Sequence, residues 1–266
     1  MGSIEEKGFI SEKIQPWIKK HREEYQEWFR LSENINSLGQ KLMLSHEPPV
    51  DDGQKTIVMI LFSRILSHFQ GIVLLTERGM VAEASSLLRG MLDATFSIVA
   101  SSKDKEIAKA FVYDDFFQRM KNLRSIIALP KETKKKLRVK NKNLEKQIEE
   151  IQKEIDNKQI KPMTSEFLAQ KAGMLGYYNT YFVLFSSSIH SRVRDLEEKF
   201  FYDEEGERPN RLRWGPDVTD LDDILEPACD ILFKAAHAVL RLFQDSKLDE
   251  QFQYQWILYE KLIGKK

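Results

Sequence analysis

The sequence predicts an all-α protein, a helical bundle of about seven helices with a protruding helical or coiled-coil arm. Three observations carry this. Apolar residues recur at spacings of three and four along most of the chain, and no stretch alternates convincingly with the period of two that a half-buried strand needs. Gly and Pro number only 12 and 8 among 266 residues, which leaves too few turns for a many-stranded fold. Hydrophobic residues make up 42% and charged residues 31%, enough to fill a core and to solvate the outer helix faces.

Residues from Ser11 to about Leu44 form the first predicted helix, with Trp17, Ile18, Tyr25, Trp28, Phe29 and Leu31 at helical spacing. The segment from His46 to Gly53, with Pro48 and Pro49, ends it, because paired prolines and a glycine cannot continue a helix. Thr56 to Glu77 is apolar on most sides and finishes at Gly79, a C-terminal cap. Met80 to Ala100 follows, closed by Ser101 and Ser102, and Ser101 with Asp104 fits a capping box for an aromatic helix that runs to about Ala128. Between Lys131 and Lys161 the aromatics vanish and Lys and Glu dominate. Leu137, Leu144, Ile148, Ile151 and Ile155 step by three and four, with Asn141 at the polar seam position, as in a short coiled coil. This segment is either a hairpin arm packed on its own chain or a homodimerisation arm. Ser165 to about Phe200 is a further helix or helix pair hinged at Gly173 and Gly176, and the stretch from Asp203 to Asn210 is a loop. Thr219 and Asp222 form a second capping box, opening an apolar helix that carries Pro227 and His237, the latter placed in the core. Phe252 to Ile263 is last. The expected division is residues 1–54 as N-terminal helix and linker, 55–245 as the bundle with its arm at 131–161, and 246–266 as a short C-terminal helix.

Forty-one basic residues balance 41 acidic ones, so bulk electrostatics does not draw the whole chain to a polyanion, and nucleic-acid contact requires a local patch. The one concentrated basic run holds Arg124, Lys131, Lys134, Lys135, Lys136, Arg138, Lys140 and Lys142. The lone Cys229 excludes an internal disulfide and reads as a small buried apolar residue. Residues 1–10 lack the pattern of a signal peptide. The most apolar stretch, Thr56 to Leu75, carries Arg64, His68 and Gln70, which suit a buried helix better than a membrane span. The expectation is a cytoplasmic protein without a membrane partner.

Chemistry concentrates on two stripes. Ser86, Arg89, Asp93 and Ser97 are spaced three, four and four, on one helix face among apolar neighbours. An arginine there requires a partner, since an unpaired buried charge is very costly, and Asp93 is the natural one. The pair either fixes helix register or belongs to a site. Ser186 and Ser187 precede His190 by four and three residues, and Arg194 follows it by four, so one face offers hydroxyl, imidazole and guanidinium together. Histidine works as an acid or base near neutrality, and arginine grips phosphate or carboxylate bidentately. The candidate catalytic set is therefore His190, Arg89 and Asp93. Ser186, Ser187, Arg194, Arg64 and His68 are candidate ligand contacts, the last two sharing a face four residues apart. The stripes either bind an anion, act on a phosphodiester, or merely hold the bundle together. No metal-ligand spacing, P-loop or GxGxxG is present, and no cofactor is expected. The partners expected are RNA or a small anionic ligand.

Leu88-Arg89-Gly90-Met91-Leu92-Asp93-Ala94, the aromatic run from Tyr113 to Phe117, Tyr178-Asn179-Thr180-Tyr181 leading to Phe185-Ser186-Ser187-Ser188-Ile189-His190-Ser191, and Trp214-Gly215-Pro216 occur in an order that resembles bacterial and archaeal domain-of-unknown-function family 5677, over roughly residues 55 to 245. The acid in that family's first motif is usually Glu, one methylene longer than Asp93, and the coiled-coil segment resembles an insertion. The family is in turn distantly similar to HEPN-type helical domains, many of them ribonucleases in phage-defence and toxin–antitoxin systems. That resemblance implies an RNA-targeting effector. The HEPN hallmark is Arg, four to six residues, then His. None of the five histidines has an arginine so placed, Arg64 standing one residue too close to His68, so the HEPN catalytic assignment is not carried over.

Overall fold

Seven residues of Thr95 to Ser101 carry only two that reach solvent at all, so the helix containing them has to be enclosed by its neighbours. A computed structural model of the chain describes residues 4–47, 51–136, 143–189, 200–202, 209–212 and 215–264. Its principal elements, with our numbering, are α1 (Gln15–Glu24), α2 (Gln26–Ser45), α3 (Gly53–Glu77), α4 (Val81–Lys103), α5 (Lys105–Ala128), α6 (Lys131–Lys136), α7 (Leu144–Lys158), α8 (Ser165–Ala172), α9 (Val183–Ile189), α10 (Leu221–Phe243) and α11 (Ser246–Ile263), with a small hairpin of β1 (Phe200–Tyr202) and β2 (Pro209–Leu212). The fold is an all-α bundle, as its periodicity predicts.

The first expected helix is two. The backbone leaves helical geometry at Tyr25 (φ −108°, ψ 29°) and re-enters at once, and the His21 ring packs on Trp17, Tyr25 and Phe29 across the break. α3 starts at Asp52, whose carboxylate accepts the Lys55 N–H at 3.0 Å. It ends in a paired-bond cap, with Gly79 N–H on Thr76 O at 3.0 Å and Met80 N–H on Leu75 O at 2.9 Å, the geometry of a Schellman motif. Gly79 has φ +70°, and a Cβ there would stand 2.6 Å from both the Asp217 nitrogen and the Trp17 ring. Its carbonyl accepts from Asp217 N–H at 3.0 Å, which ties the segment before α10 to the α3–α4 turn.

Two capping boxes do not form. α4 runs past Ser101, which is fully buried inside it. The cap of α5 is instead Asp104, extended at φ −143° and accepting the Glu106 N–H at 2.8 Å. Ahead of α10, the Thr219 N–H and hydroxyl both donate to Asp217 Oδ1 (2.9 and 2.7 Å), so that hydroxyl never turns toward the helix. α10 passes through Pro227 without interruption. α11 begins earlier than Phe252, since Asp245 caps it through the Leu248 N–H at 3.0 Å. The hairpin is also unforeseen: Phe200 pairs with Leu212 and Tyr202 with Pro209, antiparallel. Three or four residues are too few to display a period of two, and Pro209 and Asn210, expected in a loop, open β2.

α4 lies at the centre, packed by α3 and α10 on one side and by α5, α8 and α9 on others. α10 also packs on α3 and α2, so the middle of the bundle is α3, α4 and α10; the described segment Ser165–Ile189 covers a flank rather than sharing the centre. One continuous core runs from Trp28 to Tyr259. α3 has the length and hydropathy of a membrane-crossing helix, yet Val58, Phe62, Ile65, Phe69 and Ile72 are fully buried against this core. The residues matched to the arm build a second, smaller core: Met120 of α5 with Ile151 and Ile155 of α7. α7 returns antiparallel along α5, since Lys158 at its end lies over the Tyr113 and Phe116 rings (5.0 and 5.5 Å). The seam of Leu144, Ile148, Ile151 and Ile155 is thus turned toward its own chain; Leu137 and Asn141 lie outside the described residues.

Replacing Gly79 by Ala is expected to lower the unfolding free energy by about 2 kcal/mol or more, because the new Cβ adds backbone strain and meets backbone atoms. A urea unfolding curve of the Gly79→Ala protein measures this, and an unchanged midpoint would show that the α3–α4 turn relaxes freely.

Candidate functional site

The polar stripe of α4 meets the segment that follows α8. That segment begins where Gly173, at φ +75°, stops α8. One turn, Leu175–Tyr177, leads to a π-helical turn, Tyr178–Phe182, and then to α9. A π turn widens the helix locally, and such turns are frequent at functional positions. Here the turn coincides with the Tyr178-to-Tyr181 motif. Tyr178 and Phe182 stack (centroids 4.8 Å apart), and Phe96 of α4 packs on Phe182 at 5.7 Å.

Arg89 reaches from α4 into this aromatic wall. Its guanidinium carbon lies 3.2 Å from the centroid of Phe182, the stacked arrangement that a planar, weakly hydrated cation favours. Its Nε donates to Ser186 Oγ at 3.0 Å. The Ser186 hydroxyl donates in turn to Phe182 O at 2.6 Å, which fixes a lone pair toward Arg89. Asp93 lies one turn along, with Oδ1 4.0 Å from Arg89 Nη1. That is an ion pair without a hydrogen bond, as the short Asp side chain leads one to expect. Asp93 Oδ1 accepts instead from the Ser165 hydroxyl at 2.6 Å, so the carboxylate also holds the start of α8. Burial, only partly offset by Asp93 and Tyr178, pulls the Arg89 pKa below its ordinary value; the group remains a cation. The Arg89 side chain keeps 19% of its exposure and Asp93 46%, so the site opens to solvent.

Of the other predicted residues, Ser97 is buried and bonds the Asp93 carbonyl at 3.1 Å, and Ser86 lies half-buried on the same helix. His68 does not join this site. Its ring rests on Gly90, where a Cβ would stand 2.8 Å from Cε1, on the α3 side of α4, while Arg89 points to α9. Arg64 is exposed, and among the described residues no hydrogen bond or ion pair links either residue to Arg89. His190 and Arg194 lie outside the described residues, as does the side chain of Ser187. His237, expected in the core, is exposed and 3.4 Å from Asp249 Oδ1. It sits at the polar edge of a helix whose apolar arc stops just short of it. Cys229 is fully buried beside Ser32 (Sγ to Oγ 3.7 Å), and burial pushes its thiol up to about 12. Among the described residues no group of three or more His, Cys, Asp or Glu side chains is disposed to hold a metal.

Sequence reasoning missed two features. Phe182 and Ser165 complete the Arg89 site, but only the fold brings them to α4. A second polar group, Tyr177, Asp230 and Lys234, joins the π-turn segment to α10. The Tyr177 hydroxyl donates to Asp230 Oδ2 at 2.5 Å and the Lys234 ammonium to Oδ1 at 2.6 Å, with that ammonium 5.0 Å above the Tyr177 ring. Burial is the largest single influence on the Lys234 pKa and lowers it, but the hydrogen bonds and charges of Asp230 and Tyr177 together outweigh it and the net shift is upward. The Asp230-to-Lys234 spacing of four was the only available signal.

Fold and site together define an all-α bundle whose central helix presents a stacked, half-sheltered arginine to solvent. The chain belongs to the family of unknown function DUF5677, whose model matches residues 55–208. The match takes in both motif helices and ends before Trp214 and α10. No curated protein and no solved structure matches the chain.

Two measurements check this description. His21 and His68 each keep one buried ring nitrogen without a hydrogen-bond partner among the described residues. Burial depresses both pKa values below the ordinary 6.5, further helped at His68 by Arg64 and opposed at His21 by Glu24. Between those folded-state values and 6.5 the unfolded chain binds more protons, so stability present above that pH is lost as the pH falls through the window. The urea midpoint is expected to drop from pH 7.5 to pH 5, and the double variant His21→Phe/His68→Phe to show a flatter profile; equal slopes would refute the assignment. The Cys229 thiol is expected to resist iodoacetamide at pH 8.5 in the folded protein and to react once the chain is unfolded in urea, as read by intact mass.

Proposed function

We propose that the chain is an anion-binding helical protein and that Arg89 is the group that recognises a phosphate or carboxylate on its ligand. One observation carries this reading: the Arg89 guanidinium is stacked and aimed, yet its charge is under-compensated. Ser186 occupies Nε, and Asp93 sits at ion-pair rather than hydrogen-bond distance with its oxygen committed to Ser165. A purely structural arginine would be expected to close a bidentate pair with its carboxylate. A guanidinium that keeps 19% of its exposure and has no hydrogen bond at either Nη among the described residues suits a planar oxyanion instead.

RNA is the ligand class that the distant resemblance to HEPN-type domains implies. His190 follows Ser186 by four residues and Arg194 by eight, a spacing that on a continued helix adds an imidazole and a second guanidinium to the ridge, with Ser187 beside them. In this finer reading the protein is a HEPN-like, cytoplasmic effector in which His190 acts as acid or base on a phosphodiester while Arg89 or Arg194 holds the phosphate. The alternative is a module that binds a small anion without chemistry.

Titration calorimetry with inorganic phosphate and with a short single-stranded RNA tests the site. Arg89→Gln is expected to weaken binding by about tenfold or more, and Arg89→Lys, which keeps the charge and loses the fork, to fall between. Equal affinity of Arg89→Gln and the unaltered protein would remove the site. RNA degradation lost in His190→Ala, with helicity and unfolding midpoint unchanged, would support the catalytic reading; intact RNA with the unaltered protein would leave anion binding alone.

A further inference from the structure

The formal charge of the chain is zero, but its positive charge is not spread evenly. Between residues 121 and 136 six cationic side chains stand against one carboxylate, Glu132. Lys121 and Arg124 lie on the last turns of α5, and Lys131, Lys134, Lys135 and Lys136 on α6. The second core places them: Met120 packs with Ile151 and Ile155, and the end of α7 returns to Tyr113 and Phe116. The α5–α6 junction is therefore the far end of the arm, where the half-buried Leu123, Ile126, Ile127 and Leu129 lie among the exposed cations.

Among the described residues no ion pair ties down the cations of this end. Lys134 donates to the Ile127 carbonyl at 2.7 Å, a bond that fastens α6 to the end of α5 and leaves its charge in place. Lys121, Arg124, Lys131, Lys135 and Lys136 are exposed and have no ion pair among the described residues. The nearby carboxylates of α7 are taken up locally, Glu150 by Lys146 at 3.7 Å and Glu154 by Lys158 at 2.6 Å. Glu145 and Glu149 are exposed on α7 itself, outside any such pair with the tip. Like charges concentrated within a Debye length of about 8 Å repel one another, and a polyanion relieves that repulsion while its own counterions are released.

We infer that the tip of the α5–α7 arm is a nucleic-acid docking surface, one that grips the phosphate backbone of a single-stranded RNA through Arg124, Lys131, Lys135 and Lys136. A membrane surface fits less well. Basic helices that lie in a bilayer pair their cations with exposed large apolar side chains, and none of the exposed large hydrophobics of this protein falls between residues 121 and 136. The surface goes beyond the Arg89 site: it contributes affinity without base readout, as phosphate contacts do.

The test is fluorescence anisotropy of the full chain with a labelled single-stranded RNA of about 30 nucleotides, in salt from about 50 to 200 mM. Three proteins are compared: the unaltered chain, Arg124→Gln/Lys131→Gln/Lys135→Gln/Lys136→Gln, and Arg89→Gln. The four replaced side chains are exposed, so thermal melts of the first two are expected to coincide. The expected result is a Kd raised about tenfold or more in the quadruple variant, with the slope of log K against log salt shallower by roughly 0.7 for each phosphate contact removed. Arg89→Gln is expected to change the salt slope by no more than the roughly 0.7 of a single contact, against several such contacts in the quadruple variant, which separates failure of the tip from failure of the Arg89 site. Equal affinity and slope in the unaltered and quadruple proteins would overturn the inference, as would binding to phosphatidylserine vesicles that depends on the four cations while RNA binding does not.

Discussion

A guanidinium placed on the most enclosed helix of a bundle has to be satisfied where it stands, and Arg89 shows how much of the surrounding structure answers to that requirement. Its neighbours Leu88, Met91 and Leu92 are fully buried, so α4 cannot rotate to carry Arg89 into water without withdrawing those side chains from the core. Desolvation of an uncompensated charge costs several kcal/mol. The flanking segment supplies what α4 lacks: the Phe182 face, the Ser186 oxygen and, through Ser165, a donor that steers Asp93. The packing of the Ser165–Ile189 region on α4 is in that sense organised around one cation.

Helical spacing explains how that region manages it, with a π turn at its entry. Ser186 must turn its oxygen to Arg89 while Tyr178, Phe182 and Phe185 keep their rings on or beside the core. At about 100° per residue, the spacings of four and three put Tyr178, Phe182, Phe185 and Ser186 on one side of a helix. Phe182 therefore lies under the guanidinium while Ser186, one turn on, bonds it, and the wide turn at Tyr178–Phe182 sits at the entry to α9. Gly173 resets the chain direction just before, and the Tyr177–Asp230–Lys234 group anchors the same segment to α10. Two polar clusters thus clamp one irregular stretch of backbone, which is what holding a wide turn in a single register requires.

Fold class was legible because periodicity is a local property that tertiary packing seldom reverses in long helices. α3 and α4 matched their expected spans to within a few residues, and Gly79 proved a true left-handed cap. Cap residues were read less well for a physical reason: Ser101 and Thr219 have the right chemistry at the right spacing, but the first is held inside a buried helix face and the second is captured by Asp217. A capping motif reports a local preference, and a stronger neighbour overrules it. At the site, Arg89, Asp93 and Ser186 were legible from stripe spacing, since each lies on one face of its own helix. Phe182 and Ser165 were not, because proximity between α4, the π turn and α8 is a product of topology. His68 shows the converse. Its spacing from Arg64 is correct for a shared face, yet Gly90 opens a slot on the far side of α4 and the ring settles there.

Net charge was the least informative number in the sequence, and the structure shows why. Forty-one cations and 41 anions cancel over the whole chain, but electrostatic interactions act over distances set by screening and by burial, not over a chain. What matters is whether each charge finds its partner locally. On α7, Lys146 with Glu150 and Lys158 with Glu154 do so along their own helix, and such pairs spend the anionic half of the composition close to where it is encoded. Arg89 is left under-compensated by burial and by the shortness of Asp93, whereas the arm tip is left so by the crowding of lysines after Pro130. The first is a single directed cation in a sheltered slot, suited to one oxyanion; the second is a diffuse exposed field, suited to a backbone of many. These are different physical routes to the same preference for negative charge, and they arise in a protein whose total charge gives no sign of either.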